Sequence, residues 1–288
     1  MYKLIAIDLD GTLLNSYGEV SKKNREAIKY ALDKKIEIVL ASGRDPKTME
    51  KISSDLGIEN YLIAGNGASV YDIKQEKNIY ENFLETEKAL EIIKICKENS
   101  IFLSVYTTEG IITEGLKYNI KVFNNENSSK PNSKRTNIEI VKDTYNYVYE
   151  NKPQILKIII CDESKIIFNN IIEKLKSIRD VEVLDVEHMS KKIIRIGTEE
   201  YEVEYFYTEV TNKDANKWDA IKFLINELKI KEEEVICIGD NMNDFKMVEN
   251  AGLGIVMENS ALEKLNIANY VTEDNNSDGV GNAIYKYI

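Results

Sequence analysis

Two aspartates stand directly after the first apolar segment of the chain. Leu4–Ile7 is a continuous aliphatic run, and Asp8 and Asp10 follow it two positions apart. Side chains alternate along an extended backbone, so two carboxylates at this spacing are expected to point the same way. One carboxylate can attack an electrophile while the other transfers protons to a leaving group and from water. The pair therefore predicts nucleophilic and acid–base chemistry at the end of a buried strand.

Two later apolar segments also end in polar residues that could do chemistry. These residues are Ser42 and Gly43 after residues 36–41, and Asp240, Asn243 and Asp244 after residues 235–238. In an open parallel sheet the carboxyl ends of the strands share one edge, and ligands bind in the crevice there. We therefore expect side chains from opposite ends of the chain to converge at that edge.

Three or four carboxylates, from Asp8, Asp10, Asp240 and Asp244, cannot lie together without a compensating cation. Oxygen ligands without a neighbouring histidine or cysteine favour a hard ion, and Mg2+ above all. Mg2+ keeps several waters and is often completed by a substrate phosphate. The Ser42 hydroxyl, the backbone at Gly43 and the ammonium of Lys217 suit a dianionic phosphoryl group. Asp8 could then attack phosphorus and form an aspartyl-phosphate, with Asp10 as the acid and base.

The elements that must position these residues follow an alternating pattern. Apolar strand-like runs at residues 4–7, 36–41 and 61–64 are separated by helix-like segments. Ser21 is a suitable N-cap for the first helix, and Pro46 suits the first turn of the second. Continuous apolar strands separated by helices are typical of a parallel sheet that is covered on both faces. We therefore predict an α/β fold with a doubly wound parallel sheet.

The middle of the chain has a different pattern. A helical segment near residues 89–96 precedes strand-like runs at 101–106 and 155–161, and the polar tract at 124–137 predicts a loop. Residues 193–210 alternate around one turn, as a hairpin does. We predict that residues 83–209 form a second α/β domain inserted into a core made of residues 1–82 and 210–288.

These motifs resemble those of a known superfamily. DLDGTLL, ASGR, a lysine heading a helix at Lys217, and GDNMND resemble the four motifs of the haloacid dehalogenase superfamily. The insert, NGA at residues 66–68 and GDNMNDFKMVENAG resemble its Cof-type, sugar-phosphatase-like branch. The match covers the core, whereas the insert matches in position and coarse pattern only. The resemblance implies a Rossmann-like core with an inserted α/β cap domain, and a Mg2+-dependent phosphatase that works through an aspartyl-phosphate.

The resemblance also implies a role for each matching residue. Asp8 is expected to be the nucleophile and a metal ligand, and Asp10 the acid and base, with its backbone carbonyl on the metal. The remaining expected roles are metal binding by Asp240, metal binding or its support by Asp244, and phosphate or substrate binding by the Leu9 N–H, Ser42, Gly43, Lys217 and Asn243. Trp218 and Glu258 stand where the family often has glycine, which leaves the substrate preference open.

The composition limits the cellular compartment and the binding partners that we expect for this chain. The net charge of -11 argues against general binding to nucleic acid or to an anionic membrane. No apolar run approaches the roughly 20 residues that span a bilayer, and the start of the chain lacks a signal-peptide pattern. Cys96, Cys161 and Cys237 lie far apart among aliphatic residues, so we expect buried, reduced thiols. We expect a cytoplasmic monomer or weak homo-oligomer that binds a small phosphorylated metabolite.

Two other functions remain open at this point. A phosphotransferase or phosphomutase would use the same aspartyl-phosphate with a sugar hydroxyl in place of water. A non-catalytic regulator that binds a phosphorylated metabolite would not need Asp10. A serine hydrolase would have to use His188, the only histidine, and no G-x-S-x-G segment precedes it. Sugar phosphates, nucleotides and cofactor precursors all remain possible ligands.

Overall fold

The computed structural model describes residues 1–129, 135–184, 189–196, 199–260 and 266–288. The chain divides into two compact units, one of residues 1–82 and 215–288 and the other of residues 83–214. His188 lies outside the described residues. Within the described ranges, no helix combines the length and apolar character needed to cross a bilayer.

The elements are numbered along the chain. The strands are β1 (Leu4–Ile7), β2 (Glu37–Ala41), β3 (Tyr61–Ala64), β4 (Ser69–Asp72), β5 (Lys77–Glu81), β6 (Phe102–Thr107), β7 (Ile111–Thr113), β8 (Ile138–Ile140), β9 (Ile155–Asp162), β10 (Val181–Val183), β11 (Ser190–Ile196), β12 (Glu199–Asn212), β13 (Val235–Gly239), β14 (Leu253–Met257) and β15 (Tyr270–Thr272). The helices are α1 (Lys22–Asp33), α2 (Pro46–Leu56), α3 (Thr86–Glu98), α4 (Tyr118–Ser129), α5 (Thr144–Asn151), α6 (Lys165–Lys176), α7 (Lys217–Leu228), α8 (Phe245–Asn250) and α9 (Gly279–Tyr287).

The sheet of the first unit has the order β15-β14-β13-β1-β2-β3-β4-β5. Pairing is parallel from β15 to β3, and β4 and β5 extend this sheet as antiparallel strands. The predicted parallel α/β sheet is confirmed, whereas β4 and β5 were not predicted. Because β1 pairs in parallel with both β2 and β13, the loops that follow these three strands lie at the same edge.

Alternating side chains of β1 bury opposite faces of this sheet. Ile5 and Ile7 pack in a core with residues of α1, α2 and α9, and Leu4 and Ala6 pack in a second core with residues of α7 and α8. Burial of each of the larger side chains, Leu4, Ile5 and Ile7, stabilises the fold by about 1.5–3 kcal/mol. A strand buried on both faces reads as an unbroken apolar run, which is why the sequence pattern identified it.

Side-chain caps fix where the helices of the first unit begin. The Ser21 hydroxyl accepts from the Asn24 N–H at the start of α1, and Asp45 accepts from Thr48 at the start of α2. The Asn216 side chain accepts from the Asp219 N–H, so α7 begins at the next residue, Lys217. Such a cap contributes about 1 kcal/mol, and here it sets the position of a charged side chain.

The second unit contains a sheet of order β10-β12-β9-β6-β7-β8, with β11 paired to β12. Residues of α3, α5 and α6 pack in the core on one face of this sheet, and α4 and β11 contribute to the core on the other face. The antiparallel pairing of β11 and β12 agrees with the alternating pattern of residues 193–210, and residues 197–198 between these strands lie outside the described residues.

The predicted loop at residues 124–137 is wrong in its first part, because residues 124–129 complete α4. Asn127 of α4 makes two hydrogen bonds to Thr136: its side-chain oxygen accepts from the Thr136 N–H, and its side-chain amide donates to the Thr136 carbonyl. These two tertiary hydrogen bonds outweigh the low helix propensity of the tract.

Candidate active site

A buried lysine joins the first loop to the loop after β13. Lys217 is fully buried at the start of α7. Its Nζ donates to Asp8 Oδ1 and to Asp244 Oδ1, both at 2.5 Å. Residues far apart in the sequence therefore meet around one ammonium group. Of the two lysines near the start of α7, Lys217 occupies this position, whereas the Lys213 N–H bonds to the Asp180 carbonyl in the second unit.

Asp244 uses both carboxylate oxygens to hold the site together. While Oδ1 accepts from Lys217, Oδ2 accepts from the backbone N–H groups of Asp240 at 3.0 Å and Asn241 at 3.1 Å. Asp244 is fully buried. This carboxylate therefore closes the loop after β13 and fixes the backbone on which Asp240 stands.

Asp240 is tied to the first loop by a threonine. The Thr12 hydroxyl donates to Asp240 Oδ1 at 2.8 Å. Gly11, in the first loop, has φ +87°, and a Cβ there would lie 2.5 Å from Asp240 Oδ2. Only glycine allows both this backbone conformation and this close approach. Thr12 belongs to the DLDGTLL segment, but the sequence pattern alone assigned it no role.

Asp8, Asp240 and Asp244 form one group of oxygen donors, in which Asp8 and Asp244 are buried and Asp240 is half-buried. Asp8, Asp240 and Asp244 each place a carboxylate oxygen within 4.8 Å of the others. Burial, followed by the charge of Asp244, raises the pKa of Asp8 well above its usual value, although Lys217 opposes both effects. Burial raises the pKa of Asp240 to about 6, the Thr12 hydrogen bond opposes this, and the charge of Asp244 adds to it.

Burial and the neighbouring charges act on the pKa of Lys217 in opposite directions. Burial alone would lower the pKa of Lys217, but the charges of Asp244 and Asp8 outweigh it and raise the pKa above its usual value. One ammonium faces three carboxylates, so the group retains an excess of negative charge. An all-oxygen donor set with such an excess fits a hard divalent cation, and Mg2+ in particular.

Asp10 has a different partner. Its carboxylate accepts from Arg44 Nε at 2.9 Å and from Arg44 Nη2 at 2.5 Å, and its side chain is 60% exposed. The chain turns after Asp8, with the Thr12 N–H bonded to the Leu9 carbonyl, so Asp8 and Asp10 do not lie on an extended backbone. The structure thus brings Arg44 into contact with the predicted acid and base, and the site residues predicted from sequence did not include Arg44.

Apart from Lys217, the predicted phosphate-binding residues lie in the segments that follow β1, β2 and β13. Ser42 is buried; its Oγ accepts from the Arg44 N–H at 3.3 Å, and its backbone N–H donates to the Ile63 carbonyl at 2.9 Å. Gly43 follows it in the same loop. Leu9 is buried and its carbonyl accepts from Leu14. Asn243 lies beside Asp244 and donates from Nδ2 to Asn66 Oδ1 at 3.0 Å.

The two residues that depart from the family pattern differ in their burial. Trp218 is 5% exposed and packs in the core with α7 and α8 residues, and Glu258 is exposed after β14. The predicted free thiols are confirmed, since Cys96, Cys161 and Cys237 are unbridged and buried.

The second unit has a cavity of its own. Its volume is about 330 Å3, and its lining includes three tyrosines with polar neighbours: Tyr106, Tyr205, Tyr207, Asn119 and Ser190. Burial raises the pKa of Tyr106 above its usual value, and its hydroxyl accepts from Asn119. The cavity therefore combines aromatic surface with hydrogen-bonding groups.

Comparisons with known proteins agree with the geometry of the first unit. A family model described as haloacid dehalogenase-like hydrolase matches residues 5–284. Phosphatase YwpJ of Bacillus subtilis is 30% identical over 96% of this chain and 97% of its own. The B. subtilis 5-amino-6-(5-phospho-D-ribitylamino)uracil phosphatase YcsE is 26% identical over 99% and 96%.

A solved structure extends the likeness to the fold. A haloacid dehalogenase-like hydrolase from Bacteroides thetaiotaomicron superposes with a TM-score of 0.78 at 25% identity, over 100% of both chains. The Cof-type resemblance drawn from the motifs is therefore confirmed at the level of family and fold. The chain belongs to the haloacid dehalogenase-like hydrolases, and it is a phosphatase of that family.

Proposed function

We propose that this phosphatase hydrolyses a small phosphomonoester with Mg2+, through an aspartyl-phosphate on Asp8. The proposal rests on the buried hydrogen bond between Asp8 and Lys217. A carboxylate oxygen of Asp8 also lies within 4.8 Å of a carboxylate oxygen of Asp240. A carboxylate held by a lysine beside further carboxylates suits a nucleophile whose charge is offset once a cation and a phosphate are bound.

Asp8 and Asp240 would hold Mg2+ directly, with the Asp10 backbone carbonyl as a further ligand. Asp244 would support the site, because one of its oxygens binds Lys217 and the other binds two backbone N–H groups. When bound, the ion would neutralise charge on the phosphoryl oxygens and orient the phosphoryl group for attack.

In the proposed steps, the two carboxyl groups of the first loop have different roles. Lys217 holds Asp8 Oδ1, so the other oxygen attacks phosphorus while the bond to the leaving oxygen breaks. Asp10 donates a proton to that oxygen. Asp10 then takes a proton from water, which attacks phosphorus and displaces the Asp8 carboxylate, releasing inorganic phosphate.

The phosphoryl oxygens would be bound by donors from several loops. We assign this role to the Ser42 hydroxyl, the N–H groups of Leu9 and Gly43, the Lys217 ammonium and the Asn243 amide. Such donors stabilise the charge of the transition state because they are oriented before the reaction begins. Arg44 would orient the Asp10 side chain, because it donates to both of its carboxyl oxygens.

We propose that the second unit is the inserted cap domain of the family and carries residues that select among substrates. The relative named for a phosphorylated ribityl-aminouracil motivates a panel that includes sugar phosphates, sugar-alcohol phosphates attached to a pyrimidine, nucleotides and cofactor precursors. The three buried free thiols suit a reducing compartment, and we propose a cytoplasmic monomer or weak homo-oligomer.

Phosphate release from p-nitrophenyl phosphate and from this panel tests the proposal. Wild-type protein should be active with Mg2+ and inactive with a chelator, and Asp8→Asn should lose activity by at least about a thousandfold. Asp33→Asn, a variant on the exposed surface of α1, is the matched control and should remain active. Retained turnover in Asp8→Asn would refute the mechanism, and transfer of phosphate to a sugar hydroxyl would favour a phosphotransferase.

A further inference from the structure

A buried asparagine after β3 connects the loops of the candidate active site. Asn66 lies in the short turn Gly65–Gly67, is 8% exposed, and has φ 59° and ψ 29°. This left-handed conformation is uncommon for residues other than glycine, although asparagine adopts it more readily than most. A residue held in such a conformation inside a functional region calls for a physical reason.

The side chain of Asn66 binds a predicted substrate-binding residue. Its Oδ1 accepts from Asn243 Nδ2 at 3.0 Å, across 177 positions of sequence. An amide nitrogen carries two hydrogens in one plane. Because one of these hydrogens is donated to Asn66, the direction of the second side-chain N–H of Asn243 is fixed.

The backbone of Asn66 acts on the loop after β2. The Asn66 N–H donates to the Ser42 carbonyl at 2.9 Å, and the preceding Gly65 N–H donates to the Arg44 carbonyl at 2.9 Å. The Ser42 carbonyl and the Gly43 N–H belong to one planar trans peptide, in which they point in opposite directions. The hydrogen bond to Asn66 therefore aims the Gly43 N–H away from residue 66.

The turn that contains Asn66 also packs against the start of α7. Gly67 has φ +99°, and a Cβ there would lie 2.1 Å from the Asn216 carbonyl oxygen and 2.8 Å from the Lys217 nitrogen. This contact leaves no room for a side chain and fixes the turn against the residue that caps α7. Asn66 is thus anchored to the helix that presents Lys217.

We propose that Asn66 is a positioning residue that orients two phosphate donors from one place. Its side chain orients the Asn243 amide, and its backbone orients the Gly43 N–H. The inference rests on the proposed function, since it takes Asn243 and Gly43 as donors to the phosphoryl group. Glycine could supply the same backbone but no acceptor, so Asn66→Gly removes the side-chain contribution alone.

A double-mutant cycle on Asn66 and Asn243 tests this assignment. Asn66→Gly should lower kcat/KM by about three- to tenfold, the loss expected for one hydrogen bond. Asn243→Ala should lower it at least as much, and the double variant should equal Asn243→Ala alone, because Asn66 acts through Asn243. Asn266→Gly, which changes an exposed asparagine that also has a positive φ of 54°, should leave kcat/KM unchanged.

The same cycle measured on inorganic phosphate affinity, by calorimetry with Mg2+, does not depend on turnover. The same non-additive pattern in the dissociation constants supports the proposal even if no substrate is hydrolysed, an outcome that would count against the proposed function alone. Losses that multiply in the double variant, or an Asn66→Gly protein identical to wild type in both assays, would overturn it. Thermal unfolding of each variant separates these results from loss of folded protein.

Discussion

Replacing Asp240 with asparagine should stabilise the metal-free protein while removing its activity. Burial raises the pKa of Asp240 from 3.8 to about 6. A carboxyl group with a raised folded-state pKa favours folding at low pH and disfavours it once the pH rises through the folded-state value. Asparagine has the same shape, can still accept from Thr12, and carries no charge.

The size of the effect follows from the shift. About two pKa units at 1.36 kcal/mol per unit give about 3 kcal/mol at a pH of about 7.5. Burial is the main cause of the shift and Asp240 is only partly buried, so about 1–3 kcal/mol is the expected gain in the free energy of unfolding. At a pH of about 4.5, where Asp240 is already neutral in the folded protein, the gain should shrink to about 1 kcal/mol or less.

Urea unfolding followed by Trp218 fluorescence measures this change, because the only tryptophan of the chain is buried beside Lys217. Asp33→Asn, which removes an equal charge from the exposed surface, should change the unfolding free energy by less than about 0.5 kcal/mol. Added Mg2+ should stabilise wild type but not Asp240→Asn. A metal-free Asp240→Asn protein less stable than wild type at a pH of about 7.5 would refute this account of the charge cluster.

Three further outcomes are expected. Gly67→Ala should lower the free energy of unfolding by about 1–3 kcal/mol, because the added Cβ would overlap the Asn216 carbonyl. Gly115→Ala is the control and should cost little, because the space around Gly115 is open. Equal stabilities of the two variants would contradict the packing argument. Arg44→Lys keeps the charge but loses the two-pronged contact with Asp10, so kcat should fall by about tenfold with a smaller change in KM, and an unchanged kcat would mean that the pair does not orient Asp10. Burial raises the pKa of Cys96 and Cys161 to about 12 and also raises the pKa of Cys237. Ellman's reagent should therefore label the thiols of the native protein far more slowly than those of the protein in urea. Rapid labelling of the native protein would argue against the burial of these thiols.

The parallel core was predictable because its strands are buried on both faces. Leu4–Ile7 and Leu253–Met257 are unbroken apolar runs, and the structure has strands there. The edge strand Lys77–Glu81 was not predicted, because its residues are mixed in polarity and half-buried or exposed. Thr144–Asn151 was not predicted either, since its tyrosines and valine give little helix signal and packing of its buried face stabilises it.

Residue types near the site were predictable, whereas their pairings were not. The placement of Asp8 and Asp240 after neighbouring parallel strands follows from topology alone. Which side chain meets Asp10 depends on a turn that no sequence spacing reveals, and the structure pairs it with Arg44. Likewise, the sequence identified Asn66 only as part of the NGA segment. Its hydrogen bond with Asn243 joins residues far apart in the sequence and became visible only in the folded structure.

The central claim is that Asp8 carries the phosphoryl group. Rapid acid quench of a single turnover with Mg2+, followed by mass spectrometry of peptides, tests it directly. The account predicts a phosphoryl adduct on the peptide that contains Asp8, absent when Mg2+ is chelated and absent in Asp8→Asn. An adduct on another residue, or single-turnover hydrolysis by Asp8→Asn at the wild-type rate, would contradict it.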